Sequence, residues 1–183
     1  MAVAYGERVR WEALFEDLEG RLAAARDDQV RDEVADLVRA ERAQVRLADR
    51  WRGARGATLR LVLVDGQVVE GVVVDSAAQW VLLAEPGRRQ ALVPAGAIAA
   101  VVGAPPHAAA PGGEVDRSLT LGHTLRALTR DRVTVLLDVR GSRLRGRLER
   151  VGADHVDLSP LDVVRDAAPW SVPFDAILVV RSG

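Results

Sequence analysis

Two stretches of the sequence carry the same pattern: Leu61-Val62-Leu63-Val64-Asp65-Gly66-Gln67-Val68-Val69-Glu70-Gly71 and Leu136-Leu137-Asp138-Val139-Arg140-Gly141-Ser142-Arg143-Leu144-Arg145-Gly146. Each is an apolar run, a glycine turn, a second run and a second glycine. Each continues to a leucine twelve residues further on and closes with Val-Pro-x-x-Ala-Ile and an apolar tail. The matching positions are Leu83 and Leu158, then Val93 to Ile98 and Val172 to Ile177. A repeat of about 45 residues indicates one folding unit used twice.

Turn signals divide each copy into five short strands. In the first copy Asp65-Gly66 is a strong hairpin signal, and Pro86-Gly87 marks the next turn. Pro94 must end a strand, because proline cannot donate to a ladder. The second copy has a longer third hairpin, at 160–166. The predicted strands are 58–64, 67–74, 80–84, 90–93 and 98–102 in the first copy, with their equivalents between 133 and 181 in the second.

The first fifty residues are predicted to form two helices. Apolar residues recur at helical spacing between Arg10 and Ala25, and again between Gln29 and Arg52. Arg26-Asp27-Asp28 is the predicted break, with an aspartate as the N-cap of the second helix. We expect an amphipathic helical hairpin that packs on its own domain. The alternative is a dimerising coiled coil, although Glu41 interrupts its seam.

The complete prediction is an α+β chain of four segments. The N-terminal helices occupy 1–53, and the first five-stranded unit occupies 54–103. An Ala/Pro/Gly-rich stretch at 104–116 is a linker. The last segment, 117–183, holds a short helix at about 119–130, capped by Asp116 or Ser118, and the second five-stranded unit.

Composition excludes several classes of protein. The chain of 183 residues is 49% hydrophobic, which suffices for a core and argues against wholesale disorder. It has no run of about 18 apolar residues, as a membrane span needs, and its start lacks the pattern of a secretory signal. Cysteine is absent, which excludes disulfides, thiolate nucleophiles and cysteine-bound metals. We therefore expect a cytoplasmic protein without membrane contact.

The balance of charged residues gives the chain no overall attraction to a polyanion. All 25 lysine and arginine positions are arginine, which together with abundant Ala, Val, Gly and Asp indicates a high-GC, bacterial coding bias. The net charge is −1, so the chain as a whole does not attract nucleic acid. Such binding would need a local basic patch.

The repeated motif resembles the Sm-like fold, a helix followed by five short, strongly bent strands with a glycine in the middle of strand two. The closing segments, Pro94 to Ile98 and Pro173 to Ile177, are similar to the final segment of its bacterial Hfq branch. The resemblance implies two SH3-like barrels. It also implies assembly by pairing strand four of one barrel with strand five of a neighbour, either within this chain or between subunits of a homo-oligomer.

The resemblance does not carry the family's RNA site onto this chain. In the Hfq branch a Lys-His pair before the last strand contacts uridine and phosphate. Ala95-Gly96 and Phe174-Asp175 stand at those places, so neither copy offers a cation there. The motifs that Sm proteins carry between strands two and three are also missing.

No residue pattern predicts catalysis. His107 lies in the linker, His123 in a helix and His155 in a strand, each without a partner at metal-ligand spacing. A glycine loop for phosphates and a Gly-x-Ser-x-Gly nucleophile motif are both missing from the sequence. We predict no catalytic, cofactor or metal site, and a protein that is not an enzyme.

Strand two differs between the copies on its outer face. Because side chains alternate along a strand, Leu144, Gly146 and Leu148 point inward. The outward residues form what we call the arginine stripe, which is a candidate polyanion site or a solvated strand face neutralised by Glu149 and nearby aspartates. It consists of Arg140, Arg143, Arg145 and Arg147.

In the first copy the equivalent outward positions are mostly valine. Val68, Val72 and Val74 accompany Glu70 there, and a strand that is apolar on both faces is usually covered on both. These three valines are therefore the candidate interface residues, in contact with the N-terminal helices, the second five-stranded unit or another subunit. We predict a scaffold or binding protein that acts through protein–protein assembly, as a homo-oligomer or with a protein partner. The alternative is an RNA- or DNA-associated regulator that uses the arginine stripe.

Overall fold

The structure, a computed structural model, describes residues 3–106, 119–161 and 168–182. The chain divides into two compact units, Met1–Val45 and Arg46–Gly183. Among the described helices, none combines the length and the apolar character needed to cross a membrane. Predictions that fall on 107–118 and 162–167, including His107 and the caps Asp116 and Ser118, lie outside the described residues.

The first unit is one continuous helix, α1 (Val3–Gln44). The predicted break at 26–28 is wrong, and with it the predicted hairpin. That site has neither glycine nor proline, and aspartate in a helix interior costs only about 0.7 kcal/mol relative to alanine. The side chain of Asp28 pairs with Arg31, one turn along the same helix, instead of capping a new one.

Apolar side chains on α1 are exposed to solvent. Val30, Val34 and Leu37 follow one another at helical spacing, as predicted, but more than half of each side chain's surface is accessible. The helix is a compact unit by itself, so the packing of this stripe on its own domain and the coiled-coil alternative both stay predictions. The exposed residues of the stripe are Phe15, Leu18, Val30, Val34, Leu37 and Val38.

The second unit combines two short helices with ten antiparallel strands. Helix α2 (Leu47–Arg52) precedes the first five strands, and α3 (Leu121–Arg130) precedes the last five. The first five are β1 (Thr58–Leu63), β2 (Val68–Ala77), β3 (Trp80–Ala84), β4 (Gln90–Pro94) and β5 (Ile98–Val102). The last five are β6 (Thr134–Val139), β7 (Ser142–Val151), β8 (His155–Pro160), β9 (Trp170–Pro173) and β10 (Ile177–Ser182). A single turn of 3₁₀ helix precedes both β5 and β10.

The strands form one open sheet rather than two separate barrels. Its order is β5-β1-β2-β3-β4-β10-β6-β7-β8-β9, so each half repeats the same order and the two halves join where β4 pairs with β10. This junction, which we call the seam, pairs Gln90 to Leu92 with Val180 to Ser182. The prediction of two five-stranded barrels is thus not confirmed. Edge strands expose unpaired backbone groups, and the seam satisfies one such edge from each half.

Two glycines occupy equivalent crowded positions in the two halves. A Cβ atom on Gly71 would lie 2.5 Å from the carbonyl oxygen of Ala84, and one on Gly146 would lie 2.4 Å from that of Ser159. In both cases the obstacle is the backbone of the next strand, β3 or β8, which cannot move aside like a flexible side chain. The repeated mid-strand glycine therefore permits the close approach of strands two and three.

We expect Gly71→Ala and Gly146→Ala each to lower the free energy of unfolding by about 1–3 kcal/mol, as overpacking in a core does. Gly96→Ala is the matched control, because a Cβ there meets no atom within 4 Å. Urea unfolding monitored by circular dichroism measures all three variants. Equal midpoints for Gly146→Ala and Gly96→Ala would show that the close approach imposes no constraint.

The hydrophobic core consists of two clusters, and each contains side chains from both halves. The first cluster is built on β1 to β4 but includes Leu178 and Val179 of β10. The second is built on α3 and β6 to β10 but includes Trp80 and Leu92 of the first half. The halves are therefore joined by side-chain packing as well as by strand pairing.

The two short helices are fixed by specific contacts within this unit. Trp51 of α2 is buried in the first cluster, and its indole Nε1 donates to the carbonyl of Ala77 at 3.1 Å. Helix α3 begins after Thr120, whose hydroxyl accepts from the backbone N–H of His123. Leu125 of α3 is fully buried in the second cluster.

Candidate interaction surfaces

An exposed apolar face lies on the outer side of β5, β1 and β2. In the β1–β2 register Val62 stands opposite Val68, and in the β1–β5 register it stands opposite Ala100. Val68 and Val102 each keep 56% of their surface accessible, and Val72 keeps 41%. We call this surface the valine face, and it comprises Val62, Val68, Val72, Ala100 and Val102.

One ion pair lies within the valine face. Arg60 and Glu70 stand opposite each other in the β1–β2 register, with Arg60 Nε 2.8 Å from Glu70 Oε2. Val102 is the neighbour of Arg60 on β5. Both charged side chains are about half exposed. The face thus presents valines around one positive and one negative group.

The structure places two of the three predicted interface residues on the valine face. Val68 and Val72 belong to it, whereas Val74 lies two residues further along β2 and is half-buried. Val68 and Val72 are exposed to solvent in the single chain, and their covering by another surface stays a prediction. Exposed valines grouped on one strand face mark a surface suited to contact with another molecule.

The arginine stripe is divided by the structure. Arg143, Arg145 and Arg147 share the outer face of β7, but Arg143 Nε lies 2.5 Å from Asp138 Oδ1. Arg145 and Arg147 are exposed and, within the part of the chain that the structure describes, form no ion pair. Arg140 lies at the β6–β7 turn, before the strand that carries the other three arginines, and lines a cleft together with Pro94 and Phe174. Of the predicted site, Arg145 and Arg147 are therefore the two arginines that lie next to each other on one face without an acidic partner among the described residues.

An ionic network crosses the seam beside this stripe. Arg181 of β10 places its guanidinium 2.9 Å from Glu85 of the first half and also contacts Asp138 of β6. Asp138 is 2% exposed, so its charge is almost fully removed from water. Burial opposes the charge on Arg181, but hydrogen bonds and Coulombic attraction from Glu85 and Asp138 outweigh it and raise the pKa of the guanidinium.

A second polar cluster lies at the free end of the sheet, on β8 and β9. Asp157 is buried and accepts hydrogen bonds from Ser171 Oγ at 2.7 Å and from Arg150 Nε at 3.0 Å. The Ser171 bond and then the Arg150 bond lower the pKa of Asp157. His155 contacts Asp154, with Nδ1 2.8 Å from Oδ1.

This cluster does not form a serine–histidine–carboxylate relay. The Ser171 hydroxyl donates to the carboxylate of Asp157 rather than to His155. Within the described ranges, no group of three His, Asp or Glu side chains is placed to hold a metal ion. His155 is a strand residue, as predicted, between two aspartates.

Two clefts near α3 were not predicted. One, of about 550 Å³, is lined by Gln79, Arg126, Asp154, Phe174 and Asp175, so it mixes both signs of charge. The other, of about 530 Å³, lies between α3 and the end of β7 and is mainly basic. Its charged and titratable lining is His123, Arg126, Arg130, Glu149 and Arg150. Each cleft combines segments far apart in the chain, and the only sequence signal was the histidine and arginines at helical spacing on α3.

Comparisons with known proteins identify no family. No protein-family model matches this sequence, and no curated protein matches it significantly. The likeness to Sm-like proteins therefore depends on the repeated motifs of this chain alone.

Proposed function

We propose that this chain is a non-enzymatic binding protein, built from two Sm-like five-stranded units, that acts by protein–protein assembly through the valine face. The observation that carries the proposal is the exposure of Val68, Val72 and Val102 together on one face of β5, β1 and β2. Burying apolar surface is worth about 25 cal/mol per Å². Binding of a partner that covers this face removes the valines from water, and this burial stabilises the complex relative to the separate proteins.

Several features support the Sm-like part of the proposal. Both halves have the same strand order, a crowded glycine in strand two, and a 3₁₀ turn before the last strand. The seam pairs strand four of one half with strand five of the other, which is the pairing that the resemblance implies. In this chain the pairing occurs between the two halves of one polypeptide.

The test compares the intact wild-type chain with two double variants. Val68→Glu with Val72→Glu places charge on the valine face, and Arg145→Glu with Arg147→Glu is the matched control on the equivalent strand of the second half. Affinity purification with quantitative mass spectrometry and sedimentation velocity are the measurements. We expect a specific protein or a second copy to associate with the wild type and the control, and to fall about tenfold or more with the face variant.

Both variants should retain the fold, because substitutions at exposed positions usually change stability by only about 0.5 kcal/mol. Thermal melts of the three proteins check this point. A wild-type chain that is monomeric and captures no specific protein would contradict the proposal.

A weaker candidate function is binding of RNA or DNA. Arg145 and Arg147 are exposed, and α3 adds the mainly basic cleft beside Arg150. Anisotropy with mixed-sequence RNA at low and moderate salt separates this function from assembly. Salt-sensitive binding that is lost in Arg145→Ala with Arg147→Ala favours it, and absence of binding at low salt removes it.

A further inference from the structure

We infer that the partner of the valine face is a second copy of this chain, bound face to face about a two-fold axis. The inference rests on the proposed function, because it names the occupant of the same surface. Arg60 and Glu70 lie side by side on β1 and β2 with valines around them. A two-fold axis that passes between them in the plane of the contact places Arg60 of each copy opposite Glu70 of the other. The face is thus complementary to itself in charge and in apolar character.

The free edge of β5 differs from its counterpart at the seam. The seam uses Val180, Arg181 and Ser182 of β10, and the equivalent residues beside β5 are Val101, Val102 and Gly103. Gly103 has a φ of +90°, so the chain leaves the extended conformation where the third seam pair would form. A strand that paired at this edge would therefore lose the third pair of the seam.

The free edge of β9 is also unlike its counterpart at the seam. Pro169 stands at the position equivalent to Gln90, where it cannot donate a hydrogen bond. Ser171 replaces the buried Leu92, and Asp157 replaces Leu82 beside it. A proline and buried polar groups protect edges from pairing with other chains. Within the sheet unit, the exposed valine face is therefore better suited to a second copy than either free edge.

The size of the face predicts a weak dimer. Three strands spaced about 4.8 Å apart and about six residues long give a face of roughly 300 Å². A standard stable interface buries about 800 Å² on each partner. We expect a dissociation constant in the micromolar range, about 1–100 µM, rather than in the nanomolar range.

Charge reversal tests the inference in the intact chain. Arg60→Glu alone and Glu70→Arg alone each bring like charges together twice across the two-fold axis, so each should weaken self-association by about tenfold or more. An equimolar mixture of the two variants restores opposite charges at both contacts, and its heterodimer should return to within about threefold of the wild-type dissociation constant. Sedimentation equilibrium and native mass spectrometry, which separates the heterodimer by mass, are the measurements.

The control is Arg145→Glu with Arg147→Glu, which should leave self-association unchanged. A wild-type chain that stays monomeric at about 100 µM overturns the inference, as does a dimer that neither reversal weakens or a mixture that fails to restore it. Failure of this inference does not by itself contradict the proposed function. If the chain is monomeric but captures a different protein that the valine-face variant loses, assembly stands and only the second copy is excluded.

Discussion

Arg181→Ala is expected to lower the free energy of unfolding of the sheet unit by about 3–5 kcal/mol, the usual cost of removing one partner of a buried ion pair. The variant leaves Glu85 without its cation, and Asp138 keeps only the pair with the largely exposed Arg143. Asp138 is 2% exposed, so water cannot replace the lost partner. Since Glu85 comes from the first half and Asp138 from the second, the loss falls on the seam. Urea unfolding followed by circular dichroism and tryptophan fluorescence measures it.

Two further variants separate charge from packing. Arg143→Ala removes a largely exposed guanidinium from the same network, and Asp138 keeps Arg181 as its partner, so the cost should be no more than about 1 kcal/mol. The triple variant Glu85→Gln, Asp138→Asn, Arg181→Met keeps the side-chain volumes without charges, and we expect it to recover most of the loss. If Arg181→Ala and Arg143→Ala unfold at the same urea concentration, the seam network does not stabilise the sheet.

The repeat, its turns and its paired glycines were predictable because they are local. Glycine is required at Gly71 and Gly146 by the neighbouring strand, and the sequence shows this as one residue type at one spacing in both copies. Alignment on the turn glycines pairs Leu61 with Leu136, but the strand register makes Leu137 its equivalent. The second hairpin is one residue shorter, and a turn length decides register in a way that composition does not reveal.

The seam could be predicted only as one of two possibilities. Pairing of strand four with strand five was expected either within the chain or between subunits, and the sequence does not say which. The choice depends on whether the linker lets the second half reach the first, and on Leu92, Leu178 and Val180 becoming buried there. These are contacts between residues about 90 positions apart, which no local pattern encodes.

The outward direction of the arginines was predictable, but their availability was not. Strand alternation placed Arg143, Arg145 and Arg147 on one face, and the structure agrees. Asp138 lies in the middle of an apolar run and pairs with Arg143. The burial of Asp138 depends on its second partner, Arg181, on the neighbouring strand β10.

The prediction of a break in α1 failed for the opposite reason. Aspartates are a local signal of a helix start, but their weak preference did not outweigh helix continuity.

Trp80→Ala is expected to lower the free energy of unfolding by about 3–5 kcal/mol, as truncation of a buried aromatic side chain does. Trp80 belongs to the first half, but its ring is buried in the second cluster. Its indole Nε1 donates to the carbonyl of Leu119, just before α3, at 3.0 Å. The substitution therefore removes packing and a hydrogen bond that join the halves. We expect calorimetry to show two separate transitions in this variant, because each half keeps most of its own cluster.

Trp51→Ala is the matched control for this prediction. Trp51 is equally buried and donates a similar hydrogen bond, to Ala77, but its ring packs in the first cluster, which is built mainly on its own half. We expect a comparable loss of stability with a single transition retained, because the seam stays intact. If Trp80→Ala also unfolds in one transition, or if Trp51→Ala separates the halves instead, then the coupling between them does not depend on the packing of Trp80 across the seam.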